Sequence, residues 1–108
     1  MRRIGPVLLA AAIITPAHAY DQGQRVTAAA AAVSCRSWQT LKTLGDLMGD
    51  TPRFAAFWRA KKASGECRTF PVGTVVAVED DQRAGSKAIM RMRTAADGVY
   101  WTYPWYFR

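Results

Sequence analysis

The chain has 108 residues, half of them hydrophobic, and 15 Lys and Arg against 8 Asp and Glu give it a net charge of +7. That length allows one domain with a modest core. A single histidine and two cysteines exclude metal sites built from several imidazoles and thiolates.

The chain opens on an export signal. Arg2 and Arg3 form a positive start, Ile4 to Ile14 an apolar run, and Ala17-His18-Ala19 the small-x-small pattern that precedes a cut at Tyr20. An uncleaved anchor needs about 20 apolar residues; this run is shorter and contains Pro6. No cysteine follows it closely, so lipid attachment is not expected. The expected domains are a cleavable signal peptide at 1–19 and a single domain at 20–108, periplasmic or secreted, with no transmembrane span after cleavage. Cleavage removes His18 and with it serine-histidine and cysteine-histidine catalysis. Among the remaining carboxylates no catalytic spacing stands out, and Glu79, Asp80 and Asp81 read as a solvated turn. The expectation is a protein that is not an enzyme and holds no metal or cofactor.

Along the domain, Tyr20 to Gln24 is polar and reads as a loose terminus, and Arg25 to Val33 is alanine-rich and compatible with helix or an extended segment. Cys35 and Cys67 form the one possible disulfide of an exported chain, stabilising it by about 3 to 4 kcal/mol in the chain-entropy model. Trp38, Leu41, Leu44, Leu47 and Met48 recur at helical period, which with Ser37 as N-cap predicts a helix over 37–48 ended by Gly49-Asp50; Gly45 weakens its interior. Thr51 as cap and Pro52 at the first helical position start a second helix over 52–63, with Phe54, Phe57 and Trp58 on one face and Gly65 at its end. The short connection predicts an antiparallel helical hairpin.

Beyond Cys67 the period changes to that of strands. Thr74 to Glu79 is β-branched, Asp80 to Ser86 is turn-like with Gly85, and Lys87 to Thr94 alternates. In that alternation Ala88, Met90 and Met92 face the core, and Lys87, Ile89, Arg91 and Arg93 face outward. Ala96-Asp97-Gly98 predicts a hairpin before a last strand from Val99 to about Tyr103. The fold class is therefore α+β: two short helices followed by a small antiparallel SH3-like β-barrel or meander.

The segments Gly65-Glu66-Cys67, Pro71 to Val78, Gly85, Met90-Arg91-Met92-Arg93 and Gly98-Val99-Tyr100-Trp101-Thr102 resemble small exported bacterial proteins in which a short helical pair precedes an SH3-like barrel. The resemblance spans roughly Cys35 to Thr102. It implies a binding role toward peptide, cell-wall or protein partners, with no catalytic residue to carry over. The ending Tyr103 to Arg108 departs from the pattern by its aromatic content.

Six of the twelve aromatic residues fall between Tyr100 and Phe107. If the last strand stays extended, Trp101, Tyr103 and Trp105 share one face. With Arg91 and Arg93 on the neighbouring strand they compose a candidate surface for stacking, peptide docking or cation–π contact, and Arg91, Arg93, Tyr103 and Trp105 are the expected binding residues. The bland alternatives are core filling for the aromatics and edge protection for the arginines. Losing Arg2 and Arg3 leaves a net charge of +5, suited to acidic partners. The export address points to a cell-wall polymer or another exported protein rather than nucleic acid. An inhibitor or immunity-type protein that blocks an enzyme is the alternative.

Overall fold

Two strands precede the helices, where the alanine-rich segment had allowed either state. The computed structural model describes residues 20–82 and 88–108; the expected signal at 1–19 and residues 83–87 of the expected turn and strand, Gly85 and Lys87 among them, lie outside the described residues. The elements in chain order are β1 (Arg25–Thr27), β2 (Ala32–Cys35), α1 (Trp38–Asp46), α2 (Thr51–Ser64), β3 (Cys67–Phe70), β4 (Val75–Asp81), β5 (Met90–Thr94), β6 (Gly98–Thr102) and a 3₁₀ turn, Pro104–Tyr106. The fold is α+β, but the order is corrected: the helices interrupt a sheet that has already begun. β4 also continues through Asp80 and Asp81, which the turn reading had taken out of the strand.

The six strands form one antiparallel sheet in the order β1-β4-β5-β6-β2-β3. Four strand spacings separate β1 from β2, about 19 Å across a flat sheet. The five residue steps from Thr27 to Ala32 reach about 18 Å at most. The sheet must therefore curl. It does not close into a barrel, because β1 and β3 are its two ends and are not paired with each other. β4, β5 and β6 make the expected meander, with a register shift between Val78 and Asp80.

Register assigns the two faces. Val26, Val76, Val78, Met90, Met92, Tyr100 and Phe70 lie on the inner face and are buried, with Phe70 set edge-on to Tyr100 at 5.1 Å. Ala28 and Ala32 are 1% and 0% exposed. Both belong to the inner cluster, where a close-packed surround favours a small side chain. The other face carries Val33, Cys35, Cys67, Trp101, Arg91 and Arg93, and the helices cover only part of it. Leu41 and Leu44 of α1 are buried there with Cys35, Cys67, Ile89 and Tyr103, and Phe54, Phe57 and Trp58 of α2 pack against them half-buried. Ile89 is therefore buried, a correction to its outward assignment: it has the parity of Arg91 and Arg93 but falls within the helix-covered cluster.

Both helices start on side-chain caps. Ser37 Oγ accepts from the Thr40 amide and itself donates to Glu66 Oε2 at 3.0 Å, tying the start of α1 to the end of the helical layer. At α2 the cap is Asp50, which accepts from the Arg53 amide, so Thr51 is the first helical residue rather than the cap. Gly65 ends α2 at φ 82°, a left-handed conformation that favours glycine. Cys35 and Cys67 are directly opposed in the β2–β3 ladder and form the expected disulfide. Among the described residues, no helix is long and apolar enough to cross a membrane.

Candidate binding surface

The last strand, expected to run to about Tyr103, ends at Thr102; the chain does not stay extended to Trp105, because Pro104, which has no amide to donate, opens the 3₁₀ turn. The turn folds Trp105 back onto Tyr103. Their rings lie 4.6 Å apart and 9° from parallel, and Tyr106 stands against both at 6.1 and 6.2 Å. Tyr103 is 8% exposed and Trp105 62% exposed. Tyr103 is thus the inner ring on which Trp105 rests, and Trp105 is the ring that meets solvent.

The inner ring is fixed at its far end. Tyr103 Oη donates to the Leu41 carbonyl at 2.9 Å, and a Cβ on Gly45 would come within 3.0 Å of that oxygen. Gly45, read from sequence only as a weak helical position, leaves the space that lets the hydroxyl reach the helix backbone. Burial pushes the Tyr103 phenol above its ordinary value, reinforced by Tyr106 and then Asp46; burial does the same to Tyr106. Both rings are therefore neutral at physiological pH.

The arginines occupy a second place. The β4 irregularity between Val78 and Asp80 sets Glu79 where its carboxylate receives both of them, with Oε2 2.7 Å from Arg93 Nε and Oε1 3.7 Å from Arg91 Nε. Arg91 also lies over the ring of its cross-strand neighbour Trp101 at 5.5 Å. Its Nε is buried and, among the described residues, makes no hydrogen bond, the Glu79 oxygen at 3.7 Å being an ion-pair contact alone. Arg91 is half-buried cover for Trp101, whereas the Arg93 side chain is 57% exposed.

The structure joins Tyr103 to Trp105 and Arg91 to Arg93, but it sets the two pairs apart along β6. Arg93 faces Val99 near the start of that strand, and Trp105 follows its end. From Val99 to Thr102 alone is about 10 Å. The candidate surface is accordingly a strip, with Trp101 under Arg91 between its ends. Sequence reading missed Glu79, because a strand irregularity leaves no local signature, and missed Gly45, because its partner is 58 residues away in the chain.

Cations over rings recur elsewhere. Lys61 and Lys62 lie over Phe57 and Trp58 one helical turn back, and Arg36 and Arg68 over Tyr100 and Phe70. Part of the basic charge therefore covers aromatic rings, those of the buried Tyr100 and Phe70 and of the half-buried Phe57 and Trp58. A shallow recess of about 180 Å³ lies at the α1–α2 junction, lined by Met48, Thr51 and Phe54. Among the described residues, no three His, Cys, Asp or Glu side chains gather as a metal site. Compared with known proteins, the chain matches no family model, no curated protein and no solved structure.

Proposed function

We propose that this protein is a non-enzymatic exported binding module, delivered by the signal at 1–19, whose strip from Arg93 to Trp105 engages a cell-wall polymer. The observation that carries the reading is the Trp105–Tyr103 stack: an indole 62% exposed, held flat on a buried ring. A large apolar ring at the surface is costly to keep wet, and a preorganised one loses little side-chain freedom on binding. It suits the apolar face of a sugar ring, and Arg93 with the net charge of the processed chain adds attraction to an anionic polymer. The SH3-like character suggested by sequence resemblance belongs to this proposal; the curl of the sheet supports it.

The test is co-sedimentation of oxidised protein 20–108 with purified cell-wall sacculi at low and high salt. The unmodified protein is expected to pellet in both. Trp105→Ala should lose about tenfold or more of the salt-resistant binding while keeping the fold, and Arg93→Ala should lose mainly the salt-sensitive part. Absence of pelleting at either salt overturns the wall-binding reading and turns the search to exported proteins, with an enzyme inhibitor first.

A further inference from the structure

Tyr20, the residue after the small-x-small pattern, is held by the fold rather than left loose. Its hydroxyl donates to the Phe107 carbonyl at 2.9 Å, and its ring packs against the inner core. Its backbone nitrogen donates to Asp81 Oδ2 at 2.8 Å. The segment behind it runs antiparallel along β4: the Val78 amide donates to the Gln24 carbonyl and the Gly23 amide to the Val78 carbonyl. That register carries Tyr20 to the end of β4, where Asp81 stands.

We propose that Asp81 is the receiving site for a new chain terminus, the α-ammonium of Tyr20 released by an export peptidase. Hydrolysis of the Ala19–Tyr20 bond consumes one water. Ala19 leaves with a carboxylate, and the Tyr20 nitrogen takes the protons and becomes an ammonium at neutral pH. The nitrogen already 2.8 Å from a carboxylate oxygen then changes from a neutral amide donor to a cation. A charge-assisted hydrogen bond of this kind is about twice as strong as a neutral one. Processing thereby tightens the fold, and the mature first residue joins β4 to the C-terminal segment. The inference rests on the export reading of residues 1–19, and its test does not involve wall binding.

Mass and N-terminal sequence of the exported product are expected to place the first residue at Tyr20; a product starting elsewhere overturns the assignment of this cut. Thermal melting then compares 20–108 with a free amine and with an acetylated one, each with Asp81 and with Asp81→Asn. Acetylation should lower Tm by about 3 to 6 °C with Asp81 and by less than about 1 °C with Asp81→Asn, the size expected for one ion pair in a domain this small. Equal losses in both backgrounds overturn the pairing. Should Asp81→Asn fail to fold, the free-versus-acetylated difference is read at low and high salt, where an ion pair requires it to shrink and an unchanged difference overturns the pairing.

Discussion

The contact between Gly45 and Tyr103 shows a single atom deciding the sign of a substitution. On helix propensity alone, Gly45→Ala should stabilise α1 by about 1 kcal/mol. The added Cβ, however, would sit 3.0 Å from Tyr103 Oη, and that ring cannot retreat because Trp105 covers it and the hydroxyl is bonded to Leu41. Gly45→Ala is therefore expected to destabilise the protein by about 1 to 2 kcal/mol through overpacking. Tyr103→Phe should cost about 1 kcal/mol for the lost hydrogen bond and, by removing the obstructing oxygen, make Gly45→Ala stabilising in that background. Denaturant midpoints of the four proteins check this, and simple additivity would disprove it.

At the scale of elements, the helices were legible and the first strands were not. Trp38, Leu41 and Leu44 repeat at helical period, and the predicted 37–48 and 52–63 differ from Trp38–Asp46 and Thr51–Ser64 by one or two residues at each end. Alanines fit both a helical and an extended period, so β1 and β2 are set by partners far along the chain, as in the bond from Thr102 Oγ1 to the Val33 carbonyl, 69 residues away. Of the candidate site, the aromatic density at the chain end was readable. The fold of that end was not, because Pro104 turns it back on itself and buries Tyr103 beneath Trp105. The start of α2 offers a test of cap assignment. Asp50→Ala should cost about 1 kcal/mol through the lost bond to the Arg53 amide, whereas Thr51→Ala should leave stability within about 0.5 kcal/mol, both read from thermal melting.

Across the whole molecule, the disulfide and the tail close what the small core leaves open. The Cys35–Cys67 bond spans a sequence separation of 32 that contains both helices, so it fastens the entire helical layer to the sheet. Reduction is expected to remove about 3 kcal/mol, seen as a lower denaturant midpoint with reductant present; an unchanged midpoint would mean the layer holds without its staple. The tail acts on the opposite side. Thr27 and Arg108 exchange both backbone hydrogen bonds at 2.9 Å, and the Ala29 amide donates to Tyr106, so the chain's own last residues occupy the outer edge of β1. That leaves β3 as the open rim among the described residues, bounded by Pro71. A lattice of strands needs two open rims per copy to grow without end. With one, the association permitted through strands is a single antiparallel handshake that closes on itself, so the segment from Tyr106 to Arg108 acts as a stopper against fibre growth.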